Sequence, residues 1–148
     1  MSLLVKDVMT KNVITLDSSA PVKKVAELMD KHDIGCVIVM NEGKPIGIIT
    51  ERDMLKRVLL QFRDPRMTRV NDIMSTPLIT SNPETNVREA VRLMNERRIK
   101  KLPVVEASHL IGLLTITDLV RSLAYFEHMI TSLCSRCKWG KNPSITPR

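Results

Sequence analysis

Residues 5–55 and 70–120 are the same segment written twice, at an offset of 65 with no gap. Identical residues recur along the whole comparison, among them Val5/Val70, Asp7/Asp72, Met9/Met74, Val22/Val87, Met29/Met94, Val39/Val104, Gly47/Gly112, Thr50/Thr115 and Asp53/Asp118. Unrelated segments of this length would share about three. Most other core positions exchange one apolar residue for another, as in Val8/Ile73, Val13/Leu78 and Ile48/Leu113. A repeat of this kind decides the architecture before any motif is read. Two copies of one supersecondary unit are expected to pack about a pseudo-two-fold axis, with the sites between them in pairs.

Each copy reads in the same order. A short polar turn (Lys6–Met9, Asn71–Met74) precedes a brief β run, Val13-Ile14-Thr15 or Leu78-Ile79-Thr80. Pro21 and Pro83 mark helix starts. Val22, Val25, Ala26 and Met29 keep the i, i+3, i+4, i+7 spacing of one buried helical face, and Val87, Ala90, Val91 and Met94 repeat it. Two strands joined by a short turn follow: Cys36–Met40 and Pro45–Thr50, then Lys101–Val105 and Leu110–Thr115. Asn41-Glu42-Gly43-Lys44 has hairpin-turn chemistry. A second helix opens near Glu51 and near Ile116. The fold class is α/β, two β-α-β-β-α repeats over 3–60 and 70–128. Residues 61–69 link them, and 129–148 form a poorly ordered basic tail.

At 148 residues the pair suits one core, whereas a single repeat would bury too little surface. Aromatics are only 3%, so few side chains can stack on bases. The net charge of +7 is concentrated in two places. Lys56, Arg57, Arg63, Arg66 and Arg69 face one Asp64, and Arg136, Lys138, Lys141 and Arg148 face no acid. Such clusters attract anions or merely solvate a surface. The N-terminus does not read as a signal peptide and no apolar run spans a bilayer, so no membrane association is expected. Three Cys without an export signal point to a reducing, cytoplasmic setting.

Chemistry concentrates at the junction from the last strand to the second helix. It reads Gly47-Ile48-Ile49-Thr50-Glu51-Arg52-Asp53 in one copy and Gly112-Leu113-Leu114-Thr115-Ile116-Thr117-Asp118 in the other. Threonine at the N-cap and aspartate three residues later form a capping box. The same turn presents unpaired N–H groups and the positive end of the helix dipole, which favour an anion. A carboxylate there can also accept both hydroxyls of a ribose, a task that an acidic residue performs in dinucleotide-binding folds.

The order and duplication of these elements, the Gly-h-h-Thr-x-x-Asp junction (h apolar) and the Leu102-Pro103-Val104-Val105 strand resemble a tandem pair of cystathionine β-synthase (CBS) domains over about residues 3–125. The resemblance implies a regulatory module that binds AMP, ADP, ATP or S-adenosylmethionine in clefts between the repeats. It implies that Asp53 and Asp118 hold ribose and that Thr50 and Thr115 face the phosphate end, with Arg52 and Thr117 on the same turns. Thr15 and Thr80 would flank adenine, with backbone near Ile34 and Ile99. Lys100 and Lys101, just before Pro103, would meet phosphates. Their counterparts Gly35 and Cys36 carry no charge, so the second site is expected to prefer a phosphorylated ligand. The first would take a less anionic one or none. The resemblance further implies a homodimer built on the second helices, through Met54, Leu55, Val58, Leu59, Leu119, Val120 and Leu123, and a regulated protein whose identity the residues do not give.

Other chemistry is thinner. Cys134-Ser135-Arg136-Cys137 is half of a zinc-ribbon pattern, readable as free thiols, a zinc bridged between two chains (with His128 as a third ligand) or a redox pair. His32 and His109 have no acidic or Cys partner at catalytic spacing, and no nucleophile–base pairing is present, so an enzyme is not expected. A nucleic-acid-binding role through the basic tail is the competing reading. It lacks a helix-turn-helix or an aromatic platform.

Overall fold

The computed structural model describes the backbone of residues 2–133 and the side chains as far as Ala124. The expected Cys134/Cys137 zinc pair, the His128 side chain and residues 134–148 lie outside the described residues. In chain order the elements are α1 (Val5–Val8), β1 (Thr15–Asp17), α2 (Val22–His32), β2 (Cys36–Asn41), β3 (Lys44–Thr50) and α3 (Glu51–Asp53), which runs on as a π-helical stretch over Met54–Leu59. A 3₁₀ turn (Val70–Asp72) opens the second copy, followed by α4 (Val87–Arg97), β4 (Lys101–Glu106), β5 (His109–Thr115) and α5 (Ile116–Leu133). The class is α/β, as expected. No helix among the described residues is long and apolar enough to cross a membrane.

Both hairpins close through two residues of positive φ, Glu42 and Gly43 in one and Ala107 and Ser108 in the other. That is the turn whose twist matches the flanking strands. Helices α2 and α4 end alike, on Asp33 and Arg98 in the left-handed conformation. Their N–H groups donate back to carbonyls of the last helical turn.

The copies differ at the first strand. In the first, β1 lies parallel to β2, and the Ile38 N–H donates to the Ile14 carbonyl at 3.1 Å. Sixty-five residues on, the expected strand at Leu78-Ile79-Thr80 is absent and a single bridge joins Ser81 to Val104. The cause is Pro103, which stands where Ile38 stands and has no N–H to give Ile79. The first sheet is therefore β1-β2-β3 and the second only β4-β5. Pro83 does not begin a helix either. Asn86, the counterpart of Pro21, caps α4 by accepting from the Arg88 N–H at 2.8 Å.

Each repeat keeps its own apolar core, but the leading turns are exchanged. Val70 and Ile73 are buried with Leu16, Val22, Val25, Val37, Val39 and Ile49 of the first repeat. Val5 is buried with Ala90, Met94, Leu102, Val104 and Leu114 of the second. The backbone records the same exchange: the Val22 N–H donates to the Thr68 carbonyl and the Val87 N–H to the Leu3 carbonyl, both at 2.9 Å. Ser75 bridges Ile48, and Thr10 bridges Leu113. Each of these bonds between i and j has a twin between i+65 and j−65, which is the signature of a two-fold axis relating the repeats.

The helical faces need three corrections. Ala26 and Val91, expected in the buried stripes, are exposed. Of the residues expected on a dimer face, Val58 is buried in the first core, and Met54 and Leu119 pack against the two cores. Leu55, Leu59, Val120 and Leu123 remain exposed. Helix α5 continues to Leu133, past residue 128 where a tail was expected, because no Pro or Gly intervenes before Gly140.

Of the five basic residues clustered over 56–69, three serve the fold. Arg57 donates to the Ile73 and Met74 carbonyls, Arg66 pairs with Asp64, and Arg69 donates to the Ser19 carbonyl.

The exchange explains the junction glycines. A Cβ on Gly112 would sit 2.4 Å from Met9 Sδ and 3.1 Å from the Thr10 carbonyl oxygen. On Gly47 it would sit 2.6 Å from Met74 Sδ and 3.1 Å from the Ser75 carbonyl oxygen. Gly112→Ala is expected to destabilise by about 1–3 kcal/mol in urea unfolding, through overpacking against the exchanged turn. Gly35→Ala, whose Cβ would meet its nearest neighbour at an ordinary 3.6 Å, should stay within about 0.5 kcal/mol of the parent.

Candidate functional site

Strand β3 hands over directly to α3, and β5 to α5, so Thr50 and Thr115 fall at N-caps and Asp53 and Asp118 in first turns. The Thr50 N–H and hydroxyl donate to Asp53 Oδ2 at 2.9 and 3.1 Å, and the Asp53 N–H returns to Thr50 Oγ1 at 3.3 Å. At the second junction the same bonds measure 2.9, 2.8 and 3.2 Å. Both capping boxes are thus complete.

The other oxygen of each carboxylate faces the partner repeat. Asp53 Oδ1 accepts from the Ser75 hydroxyl at 3.1 Å, and Asp118 Oδ1 from the Thr10 hydroxyl at 3.0 Å. These aspartates are only 9% and 8% exposed. Three donors reach each one, and a carboxylate has about four acceptor positions. One is left for a further donor, and any second would compete with the hydroxyl from the other repeat.

The junctions differ in charge. At the first, Arg57 Nη1 lies 3.8 Å from Asp53 Oδ1, and Ser122 stands at the corresponding place in the second. Glu51 and Arg52 are exposed on the first junction's turn, where the second has Ile116 and Thr117. Lys100 is exposed, and its carbonyl accepts from the Ile116 N–H at 3.3 Å, as that of Gly35 accepts from Glu51 at 3.1 Å. Lys101 is half-buried and leans across the two-fold axis. Its Nζ and the Glu51 carboxylate both lie within 4 Å of the space beside Gly35. Cys36 sits at the same seam. Burial pushes its thiol pKa up and Glu51 adds to this, while Lys101 works against it.

The structure therefore brings Gly35, Thr50, Arg52 and Asp53 together at one junction and Lys100, Thr115, Thr117 and Asp118 at the other. Lys101 reaches the first junction's side of the axis. Thr15 and Thr80 are exposed, and Pro103 is buried in β4. The N–H groups of Ile34 and Ile99 are engaged with the Met29 and Met94 carbonyls, at 3.1 and 2.9 Å. Sequence reasoning missed Thr10, Ser75 and Arg57. The first two were readable as a hydroxyl pair at the 65-residue offset, next to the identical Met9 and Met74. Arg57 has no repeated counterpart and left no such signal. Among the described residues no group of three or more His, Cys, Asp or Glu could hold a metal ion.

Comparison with known proteins agrees with the fold. The profile of the CBS domain matches residues 5–60 and 70–125. The chain is 36% identical over 115 residues to the CBS domain-containing protein YhcV of Bacillus subtilis, covering 78% of this chain and 81% of that protein. It is 39% identical over 126 residues to protein MK0525 of Methanopyrus kandleri, covering 84% of this chain and 64% of that one. Among solved structures, the CBS domain pair of protein MJ0100, in complex with 5′-methylthioadenosine and S-adenosyl-L-methionine, superposes with a TM-score of 0.77 at 29% identity. That match covers 85% of this chain and 99% of the other. A CBS pair is a regulatory module. The chain belongs to the CBS-domain family, as a tandem pair whose repeats exchange their leading turns.

Proposed function

We propose that the chain is a sensor of adenosine derivatives and not an enzyme, with AMP, ADP, ATP and S-adenosylmethionine as the candidate ligands. The observation that carries this is the twin pair of buried junction carboxylates, each with one acceptor position left beside a helix start. A ribose diol is the kind of donor such an oxygen takes. The adenosine compounds held by the MJ0100 pair support the ligand class. Because Asp53 and Asp118 also bind Ser75 and Thr10, a ribose at either one acts on an inter-repeat contact. Occupancy is thereby converted into a change in how the repeats are held.

The second junction suits the more anionic ligand. It opens the long helix α5, carries Lys100 and has no acid on its first turn other than Asp118. The first carries Glu51 beside Arg52. Lys101, drawn toward Glu51, contributes less to phosphate than Lys100. The exposed Leu55, Leu59, Val120 and Leu123 support a homodimer as the working form.

Thermal unfolding against AMP, ADP, ATP, S-adenosylmethionine and GTP tests the reading. A ligand at about 100 times its dissociation constant should raise Tm by roughly 5–10 °C. Asp118→Asn and Asp53→Asn are each expected to abolish the shift at their own junction while the parent transition survives. No shift with any adenosine compound would leave the carboxylates as helix caps alone. Lys100→Ala should reduce the shift from ATP and ADP more than that from S-adenosylmethionine. An equal reduction for all would remove the phosphate role.

A further inference from the structure

The two junction aspartates receive the same three donors but differ in what faces their fourth acceptor position. At each junction Oδ2 takes both donors from the capping threonine, and Oδ1 takes a single hydroxyl from the other repeat. The open position is therefore on Oδ1 of Asp53 and on Oδ1 of Asp118. Arg57 stands four residues after Asp53. Its Nη1 donates to the Ile73 and Met74 carbonyls of the exchanged turn, at 2.8 and 3.0 Å. These bonds hold the guanidinium 3.8 Å from Asp53 Oδ1. At the second junction the counterpart of Arg57 is Ser122, whose hydroxyl turns back to the Leu119 carbonyl of its own helix at 2.8 Å. Among the described residues no side chain donates to the counterpart carbonyls, Val8 and Met9, and no cation lies in ion-pair range of Asp118.

We propose that Arg57 closes the first junction against ribose and that Ser122 leaves the second open, so that an adenosine ligand binds more tightly at Asp118 than at Asp53. This rests on the ribose reading and names the residue that makes the two sites unequal. A hydroxyl binds an ionised carboxylate strongly because the charge on the oxygen is uncompensated. At Asp53 the guanidinium compensates it, and a hydroxyl arriving at Oδ1 meets a fixed cationic group beside the acceptor. Moving Arg57 aside would leave the Ile73 and Met74 carbonyls without their donor. Nor is the guanidinium placed to offer a phosphate site in exchange. The helix start that favours an anion is at Thr50, and Arg57 lies seven residues further along the helical stretch. At Asp118 a ribose acts on the Thr10 contact with nothing else holding that oxygen. The second junction thus reports occupancy, while the first, tied by both Ser75 and Arg57, stays as the fixed end.

Titration calorimetry of the full chain with ATP and with S-adenosylmethionine tests the assignment. Asp118→Asn is expected to remove the tight site. Adding Arg57→Ser to Asp118→Asn should then tighten binding at Asp53 about tenfold, the worth of one hydrogen bond to a charged oxygen. Ser122→Arg in the otherwise parent chain should weaken binding at Asp118 by a similar factor. The two ligands carry net charge of opposite sign, so a local effect moves both the same way and a field effect moves them apart. Unfolding without ligand checks the fold. Ser122→Arg gives up only a bond within its own helix, so it still decides the question if Arg57→Ser fails to fold. Equal affinity at Asp53 and Asp118 in the parent, opposite changes for the two ligands, or a Ser122→Arg chain that binds like the parent would overturn the role of Arg57 and leave the ribose reading standing. A parent that binds neither ligand, or binds ATP and 2′-deoxy-ATP alike, would overturn both.

Discussion

A methionine and a hydroxyl residue cross from each repeat into the other, and the geometry of both junctions depends on them. Met9 lies over Gly112 and Met74 over Gly47, at distances that leave no room for a Cβ. Beside them Thr10 and Ser75 reach the carboxylates of Asp118 and Asp53. The strand end, the helix start and the neighbouring repeat are thereby tied at one point. The tie forms from small parts: a flexible thioether filling a gap, a hydroxyl with a short reach, and a glycine on a strand. None of them signals chemistry alone. Together they hold a carboxylate under-supplied with donors at the edge of a cleft.

Duplication made two such points, and divergence made them unequal. The first has acquired a nearby guanidinium, a glutamate on its turn and a neutral approach through Gly35 and Cys36. The second has Lys100 on its approach and a helix twice as long as the helical stretch after Thr50. The same divergence runs along the outer faces, where Asp33 and Arg98 occupy one backbone position with opposite charge. A pair of repeats that began equal thus presents unequal charge at two equivalent places.

The repeat, the helices, the hairpins and the capping boxes were legible in the sequence because each has a local signature. Periodicity marks the helices, an Asn-Glu-Gly-Lys turn marks one hairpin, and Thr-x-x-Asp marks the caps. What was not legible is non-local. The missing first strand of repeat 2 follows from a proline in a different strand, Pro103, so the Leu78–Thr80 segment looks like a strand when read alone. The exposure of Ala26 and Val91 is a matter of which neighbour lies above a helix, and apolar spacing cannot distinguish a core from an interface. Lys101 was placed with Lys100 because they are adjacent. Lys100 stands before β4 and stays exposed, whereas Lys101 opens the strand, is half-buried and turns toward the axis. The hydroxyls of Thr10 and Ser75 join their aspartates across 108 and 22 residues, distances that no motif spans.

The exchange of leading turns also sets an order on how the chain can come to rest during synthesis. Val5 is made well before its neighbours Leu102, Val104 and Leu114. The first repeat, for its part, lacks Val70 and Ile73 until the linker has emerged. Neither half can close its core while it is the only half present. The repeats look like two domains when written out, but they acquire their native packing as one cooperative unit, late and together.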